Sequence, residues 1–395
     1  MDMAGGRALS PFLLWLMTIA TGAAVASNYY PQPLLDSIAA DLGVSYAAVG
    51  IIVTVSQVGY GVGLMFLVPL GDKFEKRGLI VLMMALTAAG LLISGLAPSL
   101  PWLLLGTAMT GLFSAVTQVL VPFAALMAPV NAKGRAVGML MSGLLIGILL
   151  GRTVSGGLSS LGSWRIVYFV AAAVLILLAV MLWRSLPTHR SETRIIYNEL
   201  IGSVVQLFRT EPVLRLRALL GFLSFVLFAL FWTPLAFLLS QPPYQYTEAV
   251  IGLFGLAGIA GALAANWAGR MTDRGKNREA TLISLILLLV AWLPLGLGKT
   301  SLTALIIGVV VLDLAAQLLH VSNMGAVMRI NPELRNRLNS GYMTVYFLGG
   351  ASGSFAAATI YQYFGWNGIV AAGVLVASVG LVFGGQAVYR ARTGG

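Results

Sequence analysis

Apolar runs of about twenty residues follow one another along almost the whole of this chain, separated by short polar breaks. Each run is long enough to cross roughly 30 Å of hydrocarbon as a helix. A backbone in lipid must satisfy its own polar groups, which a helix does and an open strand does not. A β-barrel would instead show alternating segments of about ten residues, and the sequence has none. With 58% hydrophobic and 9% charged residues, the chain cannot supply the polar surface of a soluble globule. The expected fold class is an all-α membrane protein.

Reading the runs between polar breaks places helices at Pro11–Leu35, Tyr46–Leu70, Gly78–Ala97, Pro101–Phe123, Ala136–Leu158 and Trp164–Arg184, then at Val213–Ser240, Glu248–Arg270, Ala280–Leu297, Ser301–Met328, Leu338–Tyr361 and Trp366–Tyr389. That makes twelve transmembrane helices. Arg7 followed by an apolar run and Ala24-Val25-Ala26 imitates a secretory signal. The run has a counterpart in the second half, so it reads as a mature helix. The longest polar interval, 185–212, separates a first six-helix half (1–184) from a second (213–395) and is read as a cytoplasmic linker. Within it Ile195–Phe208 is apolar enough to lie as an amphipathic helix on the inner leaflet.

The bases set the orientation. If the chain starts inside, nearly all of them fall on one side, and only Arg152, Arg165 and Lys299 do not. By the positive-inside rule this puts both termini in the cytoplasm. The net charge of +11 is dispersed over short loops, so it reads as topology rather than as a nucleic-acid face.

Two polar stretches organise the rest. Gly71-Asp72-Lys73-Phe74-Glu75-Lys76-Arg77-Gly78 lies between the second and third runs, and Gly269 to Arg278 lies between the eighth and ninth. Asp72 and Asp273 are 201 residues apart (273 less 72). An offset of 202 relates Gly50 to Gly252, Arg135 to Arg337, Gly147 to Gly349, Gly151 to Gly353, Trp164 to Trp366 and Tyr30 to Trp232. Both halves start inside, so they are parallel repeats related by an axis along the membrane normal.

On these residues the chain resembles the major facilitator superfamily. The connection after the second helix of that family reads roughly Gly-x-x-x-Asp-Arg-x-Gly-Arg-Arg. Asp72, Lys73, Lys76 and Arg77 match its acid and bases, while Val68 and Glu75 stand at two of its glycines. Gly269, Asp273 and Arg274 match in the second copy. The resemblance implies a fold of two pseudo-symmetric six-helix halves. It also implies a cytoplasmic gate made by these loops, with Asp72, Lys73, Lys76, Arg77, Arg135, Asp273, Arg274 and Arg337 as its residues. Asn28 to Pro33, Gly147 to Gly156, Asp313 to Gln317 and Arg337 to Met343 look like bacterial sugar or drug efflux permeases of the drug:proton antiporter type. The fifth helix is similar to the antiporter signature in its spaced glycines, with Arg152 at the position of the signature's proline. Gly147, Gly151, Gly349 and Gly353 are read as sites of close helix packing.

Asp313 is the one acid deep inside a predicted span. It lies twelve residues beyond Ser301 (313 less 301), roughly 18 Å along a helix and near mid-bilayer. A carboxyl there is costly and therefore a functional hypothesis, read here as a proton carrier that is neutral or charged within one cycle. Arg152, the one base deep in a span, is its expected ion-pair partner. His320, two turns along the same helix, is a candidate relay. In the family the first, fourth, seventh and tenth helices line a central cavity. On them the chain places Asn28, Tyr29, Tyr30, Gln32, Gln118, Trp232, Gln317 and Asn323, and Gln57 and Tyr60 on the second helix are expected to join them. Phe222, Phe225, Phe228 and Phe231 recur every third residue and read as lipid-facing or packing residues. Aromatic and amide groups with a single acid suit a neutral or cationic amphiphile or a sugar.

The chain has no cysteine, only His189 and His320 as histidines, no phosphate loop followed by lysine and no nucleophile–base grouping. These exclude disulfide and Cys-metal chemistry and leave ATP drive and enzyme catalysis unsupported. The expectation is a secondary transporter exporting a small organic solute against protons by alternating access. It needs no cofactor beyond the proton gradient and works as a monomer in the bacterial inner membrane, with solute, protons and lipid as its partners. Uptake or uniport through the same fold, and a non-transporting sensor or scaffold, are the alternatives.

Overall fold

The computed structural model describes residues 9–129, 132–189, 197–259, 261, 267, 271, 274–331 and 334–393. Among these the regular structure is helical throughout. Several helices begin where a serine oxygen takes an otherwise orphaned backbone N–H. Ser10 accepts from Leu13 (3.2 Å) at the start of α1 (Pro11–Ala26), and Ser45 from Ala48 (3.2 Å) at α3 (Tyr46–Val62). The first pass does not run unbroken to Leu35. It stops at Ala26, because the Asn28–Pro33 segment carries two prolines, and resumes as α2 (Leu35–Leu42).

The remaining passes of the first half are α3, α4 (Lys76–Gly95), α5 (Leu100–Ser114) continued by α6 (Thr117–Met127), α7 (Lys133–Ser159) and α8 (Trp164–Ser185). After α9 (Tyr197–Thr210) come α10 (Pro212–Trp232) with α11 (Leu235–Ser240), α12 (Glu248–Leu253), α13 (Asn277–Val290) with α14 (Trp292–Leu297), α15 (Leu302–Val327) and α16 (Arg335–Thr393). Gly365, at φ 60° and ψ −158°, reverses the chain within α16, so that stretch makes two passes. Among the described residues nine helices are long and apolar enough to span a membrane. With the reversal in α16 and the shorter apolar helices Pro11–Ala26 and Glu248–Ala257, these give the twelve predicted passes, the eighth described only in part.

The repeat appears in the packing. In the first half Gly147 meets the backbone of Gly22, and Gly151 lies against Ala26, joining α7 to α1. Their partners by the 202-residue offset do the same in the second half, where Gly349 meets the backbone of Phe222 and Gly353 that of Val226, joining α16 to α10. At Gly147, Gly349 and Gly353 a β-carbon would strike the facing backbone and at Gly151 it would crowd Ala26, and this closeness is what small residues provide where no water drives helices together.

The expected linker helix is present as α9, with an apolar side and a polar side. Leu207 is buried, and Val204 and Phe208 lie over Gly341 at the start of α16. A glycine there leaves a notch for an apolar side chain, so α9 packs on the second half.

At the end of the bundle away from the chain termini the halves are tied together. Ser37 donates to Glu248, Gln241 donates to the Tyr46 hydroxyl (3.2 Å) and Ala47 N–H donates to Gln362 (2.8 Å). Tyr46 stacks on Phe237 at 4.2 Å. Gly156 on α7 fits against the backbone of Glu248, and Gly50 against Ala358.

Candidate functional site

Between the halves lies a cavity of about 410 Å³. Its wall takes residues from α1, α3, α6 and α7 on one side and from α10, α15, α16 and the eighth pass (Gly258 and Gly261) on the other, so the second, fifth, eighth and eleventh passes join the four that the family pattern implied. The wall is largely apolar. Asp313, Gln317 and His320 line it from α15, because spacings of four and three residues keep all three on one helix face.

Asp313 and Arg152 both line this cavity, at 5% and 2% exposure. They do not form the expected ion pair, for among the described residues no N–O contact within salt-bridge distance joins them. Trp232 holds both instead. Its indole N–H donates to Asp313 Oδ1 at 3.0 Å, and its ring face carries the Arg152 guanidinium at 3.9 Å. Tyr29 (4.9 Å) and Phe228 (5.6 Å) supply further ring contacts to Arg152, and Arg152 Nε donates to Gln32 Oε1 at 2.5 Å. A guanidinium spread over aromatic faces is held by ring quadrupoles as well as by hydrogen bonds. Trp232 ends α10, and Thr233 and Pro234 carry the chain into α11.

Of the other expected cavity residues, Tyr29, Tyr60, Gln118 and Gln317 line it. Tyr60 hydrogen-bonds Thr117 (2.9 Å), and Gln118 reaches the Tyr60 hydroxyl (3.4 Å). Gln32 and Trp232 act through Arg152 and Asp313. Four expectations are corrected. Asn28 bonds Ser114 and Ser56, both at 2.8 Å, pinning the kink after α1 to α5 and α3. Tyr30 meets Ser155 through its backbone carbonyl (2.7 Å), Gln57 is buried outside the cavity wall, and Asn323 accepts from Arg217 (3.2 Å) inside the second half. A polar group in a span must be paired or wetted, and Asn28 is paired through both of its side-chain polar atoms.

The phenylalanine stripe also divides. Phe225 and Phe228 line the cavity, whereas Phe222, whose backbone meets Gly349, is outside its wall and Phe231 packs on Trp366 (6.1 Å). Residues three apart drift around a helix, so one stripe serves two surfaces. Tyr346, Phe347 and Met343 are cavity residues that sequence reasoning passed over, and apolar wall positions carry no signal that separates them from packing. His320 Nδ1 shares a hydrogen bond with Tyr342 (3.2 Å), and its ring lies 4.5 Å from Tyr346.

Toward the terminus-bearing end a second cavity, of about 550 Å³, shares Gln118 and Met343 with the first. Lys76, His189, Arg337, Asn339 and Ser340 are among its lining. Asp273 and the side chain of Asp72 lie outside the described residues. Lys73 and Arg77 lie beside rings of their own half, Phe74 (5.9 Å) and Trp183 (4.6 Å). Arg135 and Arg274 are exposed, and Arg337 lines the cavity. Among the described residues none of these five bases makes an ion pair across the halves, because the second cavity separates the two sides there; Ser340 touches the Leu64 carbonyl at 3.4 Å. Lys76 donates to the Gly71 carbonyl at 2.5 Å. Glu75, at the position of a family glycine, caps α4 by accepting from Arg77 N–H (2.8 Å) and Gly78 N–H (2.7 Å), and takes His189 N–H of the linker at 3.3 Å.

A cavity with a buried acid and base between two repeated helical halves is the architecture of a membrane transporter, and comparison with known proteins gives the family. The Major Facilitator Superfamily model matches residues 17–293 and again 244–392. The chain belongs to the Major Facilitator Superfamily, a family of transporters and not of enzymes. It is 53% identical over 382 residues to the "Uncharacterized transporter YgaY" of Escherichia coli O157:H7, covering 97% of each chain. It is 25% identical to a "Probable sugar efflux transporter" of Helicobacter pylori (strain G27), covering 85% of each. In fold it matches the crystal structure of a bacterial homologue of the human lysosomal transporter Spinster, inward-facing and unoccupied, with a TM-score of 0.78, 15% identity and 98% coverage of both chains.

Proposed function

We propose that this chain is a proton-coupled exporter of a small organic solute, working by alternating access. The carrying observation is the carboxyl of Asp313, buried in the wall of the cavity between the halves and held by Trp232 rather than by a fixed counter-charge. An intramembrane acid is retained against its solvation cost where it does work, and protonation is the change open to it. Gln317 and His320 continue its helix face toward the second cavity and give a proton a polar route.

Direction follows from the bases. With both termini in the cytoplasm of a bacterial inner membrane, the linked cavities face inward and the tied end faces outward. Solute enters from the cytoplasm. Proton arrival from the outer side at Asp313 then resets the carrier. A relative named for sugar efflux supports export, and small neutral or drug-like solutes fit the aromatic and amide wall. The proton gradient is the energy source, no cofactor takes part, and a single copy encloses the site.

The test is transport in proteoliposomes with an imposed pH gradient. Wild type is expected to move solute uphill, and Asp313→Asn is expected to permit only downhill exchange. Uphill movement by the variant overturns the proton role of Asp313.

A further inference from the structure

Arg152 and Asp313 face one cavity, carry opposite charges and are not paired. Their shared attachment to Trp232 keeps them apart, one on the ring face and the other at the ring's N–H edge. Each is left with an unused valence. Arg152 Nε is taken by Gln32, but Nη2 is buried with no acceptor. A guanidinium cannot shed that need by losing a proton. On Asp313 the indole occupies Oδ1, and among the described residues no donor reaches Oδ2. Oδ2 lies 3.6 Å from where a β-carbon of Gly258 would stand, a position that the Leu149 side chain fills, and Asp313, Gly258 and Leu149 together line this part of the cavity wall.

We propose that the solute's polar end is a neutral group carrying both a donor and an acceptor, such as a hydroxyl cluster or a primary amide. This group bridges the two residues, its acceptor on Arg152 Nη2 and its donor on Asp313 Oδ2, while an apolar body lies along Leu144, Leu145, Ile148, Met324 and Met343. The assignment rests on the transport reading above and narrows its substrate class. A cationic head meets the permanent charge of Arg152 in a site with little water, and an anionic head meets the carboxylate of Asp313. A neutral donor–acceptor head gains from both. The coupling follows from the same contacts. A protonated Asp313 gives up an acceptor, so a proton and the solute's donor compete for one oxygen, as exchange requires.

The experiment is titration calorimetry of the full chain in lipid nanodiscs with octyl glucoside, octyltrimethylammonium and octanoate, which share one tail and differ in head charge. Glucose serves as the arm without a tail. Octyl glucoside is expected to bind saturably and at least about tenfold more tightly than the other two or than glucose. Arg152→Gln and Asp313→Asn are each expected to erase that preference. Equal or tighter binding of either charged amphiphile by wild type overturns the proposal, and this comparison does not depend on how well the variants fold. A preference that survives Arg152→Gln overturns it as well. If the headgroup preference stands but the vesicles show no proton-driven export, the transport reading fails and the site assignment holds. If export stands and the preference does not, this inference alone fails.

Discussion

Trp232 shows how much one side chain does in a membrane interior. A direct Arg–Asp pair would satisfy both charges and leave little for a solute; an indole between them supports both and satisfies neither fully. Arg165, another base outside the positive-inside pattern, is a contrasting case at the surface. It donates to Asp41 at 2.5 Å and to the Ala97 carbonyl at 3.1 Å, and lies 4.2 Å over the ring of Trp164, whose N–H also reaches Asp41 (3.2 Å). The Arg165 hydrogen bond, with a smaller contribution from Trp164, holds the Asp41 carboxyl below the usual carboxylate range. A depressed folded value means the pair stabilises above the unfolded value of about 3.9, and that stability is lost as pH falls through the folded value. Asp41→Asn is therefore expected to cost a few tenths of a kcal/mol near neutral pH, since both side chains are partly in water. The cost is expected to vanish in strong acid. Tryptophan-fluorescence melting of both proteins across pH checks this, and an equal deficit at every pH rules it out.

Two elements depend on single residues whose role the sequence pattern conceals. Glu75 looks like a departure from a family motif, yet it caps α4 with both oxygens and takes an N–H from the linker. Glu75→Ala is expected to lower stability by about 1 kcal/mol, as cap removal does. It is also expected to speed protease cleavage near His189, and unchanged cleavage would separate the cap from the linker contact. Gly365 turns α16 back at φ 60° and ψ −158°, a region closed to side-chain-bearing residues. Gly365→Ala is expected to cost about 1–3 kcal/mol in thermal melting. At Gly157, where a β-carbon would meet nothing within 4 Å, alanine is expected to be neutral. The apolar runs predict the helices because burial in lipid demands them, while their ends and kinks follow from caps and prolines that compete locally.

For the whole molecule the question is which end opens. The end away from the termini is joined by Ser37–Glu248 and Tyr46–Gln241 hydrogen bonds and by glycine contacts, while the other end holds the second cavity. The chain has no native cysteine, so a designed pair reports on this cleanly. Cross-linking Ser37→Cys with Glu248→Cys is expected to stop transport in proteoliposomes and reduction to restore it. Undiminished transport in the cross-linked state would mean that the tied end never separates.

Hydrophobic length, the 202-residue offset and the isolated acid at position 313 were enough to determine the membrane class, the repeated helices and the two charged residues at the centre, because the solvation cost of polar groups in lipid acts on each segment separately. The tertiary structure alone decided that Arg152 meets an indole instead of a carboxylate, that Asn28 and Asn323 brace helices, and that Phe225 and Phe228 face the cavity while Phe222 and Phe231 do not. Those outcomes depend on how far each helix is rotated and where its neighbour approaches, and packing across the whole bundle sets both.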